Sequence, residues 1–282
     1  MLTKKCVLVS VNALWYHEAG RKGSPMTQAE RRRYLIDALL AEEPEYQRLT
    51  VPEGATEQRQ LLRSLMNVRP PRAIDPQFLQ IQDAYLKTAI AEKGITDYHD
   101  LEPLEKGIYL WRGDITTLRC GAIVNAANSG MTGCYQPCHN CIDNCIHTFA
   151  GIQLRQACGA IMEAQGTPEP TGQAKLTKAY NLPCDYVLHT VGPIVQGRLR
   201  PEHEMLLASC YNACMETAEQ AGIRSVAFCC ISTGVFGFPK DRAAEIAVET
   251  VRAFQSHSNL EVIFNVFEES DEIRYRRLLG TH

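Results

Sequence analysis

The stretch "AIVNAANSG" (residues 122–130) is a short apolar run that ends in polar and glycine residues. Similar apolar runs follow residue 105 along the chain: GIYLW, YVLHTV, SVAFCCIS and VIFNVF. Longer helical patterns alternate with these runs, at residues 143–165, 202–221, 240–256 and 271–279. Strands that alternate with helices in this way predict an α/β sheet covered by helices on both faces.

The length and the charge of the chain limit the class of protein. Its 282 residues are 45% hydrophobic and 22% charged, which is typical of one large domain or of a compact domain with an appendage. A formal net charge of −3 gives no sign of the clustered basic face that binds nucleic-acid backbones, so we expect no nucleic-acid partner. No window resembles a membrane span, so we also expect no membrane partner.

The twelve cysteines are spread through apolar segments such as SVAFCCIS and LASCYNAC. There they are typical of small core residues in a reducing compartment, and we expect a cytoplasmic protein. Lys4 and Lys5 precede an apolar run as in a signal peptide, but Ser10 and Asn12 interrupt that run and no cleavage pattern follows. This N-terminal stretch is predicted to form a short strand or a poorly ordered extension.

Residues 24–100 have helical patterns. The first pattern begins with Thr27 and Glu30 in the spacing of a capping box. A second, TEQRQLLRSLMNV, ends at the two prolines of 70–71. Asp75 and the proline that follows it are typical of the start of a third helix, which we expect to end near a glycine at position 94.

A glycine-rich turn follows the run that ends at Ile231. This segment, "STGVFGFP" (residues 232–239), precedes a predicted helix. Glycines permit backbone N–H groups to converge on one point, so the turn suits a phosphate or pyrophosphate, although such a sequence is as often merely a turn. The chain has neither a Walker A frame nor G-x-G-x-x-G, so a Rossmann dinucleotide site is unsupported.

Polar side chains also follow the first two predicted strands of this region. Asp114 can accept a hydrogen bond from an exocyclic amine such as that of adenine, or it can cap the next turn. Asn125 and Asn128 can bind sugar hydroxyls, or they can simply form a turn. Ligands of α/β sheets bind at the carboxyl ends of the strands, where these residues lie.

The motifs GDIT, IVNAAN, VLHTVGP and STGVFGFP occur in an order and spacing that resemble the macrodomain family, whose members bind ADP-ribose and many of which hydrolyse its bonds to proteins. The resemblance covers roughly residues 105–280. It implies a three-layer α/β/α fold with a mixed central sheet, and ADP-ribose lying along the strand-end crevice. We expect residues 101–282 to form this domain and residues 1–100 to form a mainly helical N-terminal extension.

The resemblance also implies roles for individual residues. Asp114 and Ile115 hold adenine, the 129–134 and 232–237 loops enclose the diphosphate, and Asn128 lies near the distal ribose. The residues expected to contact ADP-ribose are Asp114, Ile115, Asn128, Gly133, Cys134, Cys141, Ile142, Asp143, Asn144, Ser232, Thr233, Gly234, Val235, Phe236 and Gly237.

The stretch "GCYQPCHNCIDNCIH" (residues 133–147) holds four cysteines and two histidines. It overlaps a departure from the family, because "SGMTGCYQPCHNC" (residues 129–141) replaces the glycine run that the family usually has there. A closed structural zinc site, a disulfide knot, an iron–sulfur site and an open catalytic zinc site are all conceivable for these cysteines and histidines. A closed site normally has two separated ligand pairs, and a disulfide is disfavoured in a reducing compartment. Cys145 and His147 border the buried face of the predicted helix and are better explained by packing. The loop candidates are Cys134, Cys138, His139 and Cys141.

The loop further resembles the zinc-containing microbial macrodomains, whose motif is C-x4-H-x-C followed by I-D. This branch also carries a helical N-terminal extension, and its members are associated with reversing modifications made by sirtuin-like ADP-ribosyltransferases. The resemblance implies that Cys134, His139 and Cys141 bind one Zn²⁺ per chain and that Cys138 is a bystander. Asp143 is then the best candidate for a catalytic base or orienting carboxylate, with a helix cap as the alternative, and Asn128 assists it.

The expected function is therefore a zinc-dependent hydrolase, of glycosidase or esterase type, that removes ADP-ribose from mono-ADP-ribosylated protein side chains. One alternative is a non-catalytic ADP-ribose-binding module in which zinc only stiffens the loop. Another is the hydrolysis of a free metabolite such as O-acetyl-ADP-ribose. The expected partners are ADP-ribose and a modified protein substrate, and the expected state is a monomer.

Overall fold

A six-stranded mixed sheet lies at the centre of the computed structural model, which describes residues 26–280. The strands are β1 (Thr96–Asp97), β2 (Ile108–Arg112), β3 (Leu118–Arg119), β4 (Ala122–Ala126), β5 (Ala174–Lys178), β6 (Tyr186–Thr190), β7 (Ser225–Phe228) and β8 (Glu261–Val266). Their order in the main sheet is β2-β8-β7-β4-β6-β5. All neighbours are parallel except β5, which runs antiparallel to β6. The short strands β1 and β3 form a separate parallel pair.

Helices cover both faces of the sheet. The helices of residues 26–280 are α1 (Gln28–Glu42), α2 (Ala55–Val68), α3 (Pro76–Lys93), α4 (Ile142–Ala150), α5 (Ile152–Gln165), α6 (Pro201–Gln220), α7 (Lys240–Gln255) and α8 (Glu269–Leu278), of which α4 to α8 lie on the faces of the sheet. Helix α7 packs between α6 and α8 on one face, while α4 and α5 cover the other. This arrangement confirms the predicted three-layer α/β/α fold.

The central strands are buried on both faces, which explains their continuous apolar runs. Ile123 and Val124 of β4 point to opposite faces and are both fully buried, as are Val226 and Ala227 of β7. Because both faces are occupied, the chain can present polar groups only where a strand ends. The functional loops are therefore confined to the ends of the strands.

The helices α1 to α3 form a layer with its own apolar cluster, to which Ile152 of α5 also belongs. The predicted helix starts are confirmed: Thr27 and Glu30 form a capping box, and Asp75 accepts a hydrogen bond from the backbone N–H of Gln77 at 2.6 Å. Helix α2 packs against α4, which brings this N-terminal layer next to the segment that precedes α4. The boundary between the two expected domains stays a prediction.

Two expectations about the elements were wrong. The single helix predicted for residues 143–165 is two helices, because Gly151 adopts φ +95° and ψ 170° and ends α4. Strand β5 was not predicted, since "AKLTK" is a partly exposed edge strand without an apolar run.

The N-terminal stretch considered as a strand or extension lies outside the described residues. Among the helices of residues 26–280, none is long and apolar enough to cross a membrane.

Replacing Gly151 with alanine is expected to destabilise the protein by about 3 kcal/mol, because its backbone conformation is restricted to glycine. A Cβ atom there would also lie 2.6 Å from Nε2 of Gln82 and 2.6 Å from Oε1 of Gln153. These two atoms are hydrogen-bonded to each other at 2.7 Å, so the bond would have to break. Denaturant unfolding followed by circular dichroism measures the loss.

The matched control is Gly166→Ala at the end of α5. Gly166 also has a positive φ of 73°, but a Cβ atom there would meet nothing within 4 Å. Its replacement should cost roughly 1 kcal/mol, from backbone strain alone. Equal losses for the two variants would contradict the role given to the contacts of Gly151.

Candidate active site

A crevice opens at the carboxyl ends of β4, β7 and β8. Parallel α/β sheets bind their ligands at the carboxyl ends of their strands. Ala126 ends β4, Cys229 follows β7, Asn265 lies near the end of β8, and all three line the crevice. Its volume of about 840 Å³ is within the range of small-molecule sites.

Two loops provide most of the remaining lining. We call residues 133–141 the cysteine loop and residues 232–239 the glycine loop. The crevice brings together most of the residues expected to contact ADP-ribose: Asn128, Gly133, Cys134, Cys141, Ile142, Asp143, Ser232, Thr233, Gly234, Val235 and Phe236. The other expected contacts do not line it: Asp114, Ile115, Asn144 and Gly237.

Asp114 has the capping contacts that were the alternative to adenine recognition. Its Oδ1 accepts hydrogen bonds from the N–H and the hydroxyl of Thr116, at 3.0 and 2.6 Å. Its Oδ2 accepts a hydrogen bond at 2.8 Å from Lys93, which lies at the end of α3. Burial opposes ionisation of this carboxyl, but Lys93 and Thr116 outweigh it and hold the pKa of Asp114 below its ordinary value. Adenine binding by Asp114 and its neighbour Ile115, which is buried, stays a prediction.

The cysteine loop brings the three expected metal ligands together. The ligand atoms of Cys134, His139 and Cys141 all lie within 4.8 Å of one another, and Cys134 Sγ is 3.6 Å from His139 Nδ1. A tetrahedral zinc ion with bonds of about 2.3 Å to sulfur and about 2.1 Å to nitrogen separates two such ligands by about 3.6 Å. The donor set and its spacing therefore fit zinc. Burial raises the pKa of Cys141 to about 12, so this thiol keeps its proton at neutral pH until a cation displaces it.

The other cysteines of the motif point away from this set. The Cys138 N–H donates to Oδ1 of Asn67 at 2.9 Å, and its thiol lies 3.2 Å from the hydroxyl of Ser64. Cys145 Sγ is 3.6 Å from Nη2 of Arg63. Cys138 and Cys145 thus both contact helix α2. All the cysteines among residues 26–280 are free thiols.

Asp143 lies in the first turn of α4 and lines the crevice although it is only 5% exposed. Its Oδ1 accepts a hydrogen bond from Asn125 Nδ2 at 2.8 Å, and its Oδ2 accepts one from Asn128 Nδ2 at 3.2 Å. Burial raises the pKa of Asp143 to about 6, against the opposing effects of Asn125, Arg155 and Asn128. A carboxylate with a pKa just below neutrality is suited to accept a proton.

A buried histidine supports this arrangement and was missed at the sequence level. Asn125 on β4 and His189 on β6 are register partners, and Asn125 Nδ2 lies 3.2 Å from His189 Nδ1. The Asn125 amide donates one hydrogen to Asp143, so its second hydrogen is directed at Nδ1 of His189. His189 must then carry its proton on Nε2, which lies 2.9 Å from the hydroxyl of Thr177. Burial lowers the pKa of His189 to about 3, so the ring is neutral.

The same tautomer argues against a second cation site behind Asp143. The ligand atoms of His147, Cys158 and His189 lie within 4.8 Å of one another and all three residues are buried. However, a proton on Nε2 of His189 leaves no lone pair there for a metal. Burial lowers the pKa of His147 well below its ordinary value, so the contact of 3.6 Å between its Nε2 and Asp143 Oδ1 is not an ion pair.

The glycine loop forms the opposite wall. Ser232 and Gly237 have positive φ angles of 64° and 69°, and Phe238 N–H donates to Ser232 O at 3.0 Å, which closes the loop. Helix α7 begins directly after it, at Lys240. The Lys240 ammonium is neutralised by Glu268 and Asp271, at 2.6 and 3.0 Å. The backbone of the loop and the helix N-terminus, rather than this lysine, are therefore the features that suit a diphosphate.

Comparisons with known proteins show which family the chain is similar to. The Macro domain family model matches residues 124–247. The chain is 57% identical to a protein-ADP-ribose hydrolase of Treponema medium, over 90% of this chain and 100% of that protein. It is 46% identical to a protein-ADP-ribose hydrolase of Staphylococcus aureus strain Mu50, over 89% of this chain and 95% of that protein.

A solved structure shows the same fold. The Trypanosoma brucei macrodomain in complex with ADP-ribose superposes with a TM-score of 0.61 at 29% identity, and the match covers 81% of this chain and 97% of that one. The two relatives and the solved structure therefore agree on the family and on the fold. The chain belongs to the macrodomain family.

Proposed function

We propose that this protein hydrolyses the bond between ADP-ribose and a modified protein side chain, and that a zinc ion held by Cys134, His139 and Cys141 takes part in the reaction. One observation carries the proposal: the buried Asp143 carboxylate and this Cys–His–Cys set line the same crevice. The relatives named protein-ADP-ribose hydrolase support the substrate class.

Each part of the crevice has a separate task. The glycine loop binds the diphosphate through its backbone, which directs the distal ribose toward Asn128 and Asp143. Asp143 is ionised at neutral pH, where it accepts a proton from the attacking nucleophile or stabilises positive charge at the anomeric carbon. Asn125 and Asn128 hold both of its oxygens in place.

Zinc fits the remaining group of ligands. Cys134, His139 and Cys141 would hold the zinc ion, which would supply Lewis-acid polarisation of a substrate oxygen. The chain's own contribution is to hold Cys134, His139 and Cys141 on the wall that Asp143 also lines. We further propose that the substrates are proteins modified by a sirtuin-like transferase, in agreement with the zinc-containing branch that the loop resembles.

Replacing a metal ligand should abolish catalysis without abolishing the binding of free ADP-ribose. We expect Cys134→Ala and His139→Ala to lose zinc and to lose release of ADP-ribose from a mono-ADP-ribosylated protein. Folding and the affinity for free ADP-ribose should largely persist, because the glycine loop is untouched. Zinc content, product release and calorimetric ADP-ribose binding measure the three quantities. Release measured side by side from Asp/Glu-linked, Ser-linked and Arg-linked proteins identifies the linkage.

Cys138→Ala is the matched control in the same loop. Because the Cys138 thiol faces Ser64 of α2, this variant should keep its zinc and its activity. Wild-type activity in a folded, zinc-free protein would refute a catalytic zinc and favour zinc that only stiffens the loop. Faster hydrolysis of O-acetyl-ADP-ribose than of any modified protein would refute the proposed substrate class.

Asp143→Asn keeps the shape of the side chain and removes its negative charge. We expect kcat to fall by about 10² to 10⁴, with the ADP-ribose dissociation constant changed by less than about tenfold. Single-turnover release of ADP-ribose and calorimetric binding test the two values. Cys141 is the N-cap of α4, so the non-catalytic alternative is that Asp143 only holds α4 against Asn125 and Asn128. In that case the variant should lose stability while kcat stays near that of the wild type.

Glu261→Gln provides a comparison at the opposite end of the sheet. Glu261 begins β8 and accepts hydrogen bonds from Tyr98 and Tyr109, at 2.8 and 2.9 Å. Its replacement should leave kcat unchanged, because it lies at the strand end remote from the crevice. An equal fall in kcat for both variants would point to a general loss of structure.

A further inference from the structure

Helix α2 of the N-terminal layer contacts the cysteine loop through Arg63. Arg63 Nη2 donates a hydrogen bond at 2.7 Å to the backbone carbonyl of His139. The same nitrogen donates at 2.8 Å to Oδ1 of Asn144, which also accepts from Arg63 Nε at 3.3 Å. One guanidinium therefore joins α2, the cysteine loop and helix α4.

Asn144 transmits this contact to the other end of the loop. Since its Oδ1 accepts from Arg63, its amide nitrogen must face the loop. That nitrogen donates to the carbonyl of Gln136 at 2.9 Å and to the carbonyl of Cys134 at 3.4 Å. Asn144 is fully buried, so no water competes for these bonds. Arg63 and Asn144 together fix the backbone next to two of the proposed ligands.

The cysteine loop needs such external contacts, because it has no regular secondary structure between β4 and α4. Two of its residues, Gly133 and Cys138, have positive φ angles of 84° and 52°. A single backbone hydrogen bond of the loop with itself is seen, from His139 N–H to Gln136 O at 3.3 Å. A segment of this kind is ordered by its contacts with the rest of the protein. If those contacts are lost, metal binding itself must order the loop, and the entropic cost of that ordering weakens the metal affinity.

We propose that Arg63 is a positioning residue for the metal ligands, so that helix α2 is part of the active site although it carries no ligand itself. This inference rests on the zinc binding proposed above and assigns a role to the N-terminal layer. Arginine suits the position because the N–H groups of its planar guanidinium can donate to the His139 carbonyl and to the Asn144 amide oxygen together. A lysine has one ammonium and cannot hold both acceptors in the same geometry.

The test measures zinc affinity of the full chain by competition with a chromogenic chelator, together with the absorption spectrum of the cobalt-substituted protein. Residues that orient metal ligands typically change metal affinity about 10- to 100-fold, and we expect a loss of this size for Arg63→Ala. Arg63→Lys should show a smaller loss. Both variants should alter the ligand-field bands of cobalt, which a change in global stability alone does not move.

Arg59→Ala is the matched control. Arg59 lies one turn earlier on α2, is exposed, and donates only to Thr56 at 3.0 Å among its described contacts. Its removal deletes the same charge from the same helix and should leave zinc affinity and the cobalt spectrum unchanged. Circular dichroism of every variant confirms folding, and Arg63→Lys decides the question if Arg63→Ala does not fold.

The outcomes separate this inference from the proposed function. Wild-type zinc affinity and an unchanged cobalt spectrum in folded Arg63→Ala or Arg63→Lys would overturn the positioning role while leaving the zinc site standing. A wild-type protein that binds no zinc would overturn the zinc-dependent function itself. An equal loss in Arg59→Ala would show that net charge, rather than the contacts of Arg63, controls metal binding.

Discussion

The burial of the Asp143 carboxylate is the constraint on which the site depends. A buried anion is tolerated only if its oxygens receive hydrogen bonds, and Asn125 and Asn128 supply them from the end of β4. These bonds tie the start of α4 to the central sheet. The cysteine loop must then run between two fixed points, the "NAAN" motif and the first turn of α4. His189 extends the support one strand further, through Asn125.

A second layer of contacts fixes the loop from outside. Arg155 of α5 caps the C-terminal end of α2. Its guanidinium donates hydrogen bonds to the backbone carbonyls of Met66, Asn67 and Arg69. It also reaches the carbonyl of Cys134 at 3.3 Å. Helix α2 is thus attached to the same elements that carry the loop. The N-terminal layer contributes polar contacts at the site as well as an apolar cluster, so its packing and the geometry of the crevice are linked.

The sequence predicted the sheet, the layers and most helices, because long periodic patterns and doubly buried strands dominate the chain. The break between α4 and α5 was missed because it depends on the positive φ angle of Gly151. Strand β5 was missed because it is a partly exposed edge strand without an apolar run. The convergence of the Cys–His–Cys set was expected from a family resemblance rather than from spacing alone. The roles of His189 and Arg63 could not be predicted, since their partners are 64 and 76 residues away and only the fold brings them together.

We propose that one crevice combines a metal site on the cysteine loop with the Asp143 carboxylate at the distal ribose. The most direct measurement is anomalous diffraction at the zinc edge from crystals of the full chain grown with zinc and ADP-ribose. The account predicts a single strong peak bounded by Cys134, His139 and Cys141, with the distal ribose between that peak and Asp143. A peak at Cys138 or behind Asp143, or a ribose bound away from this wall, would contradict it.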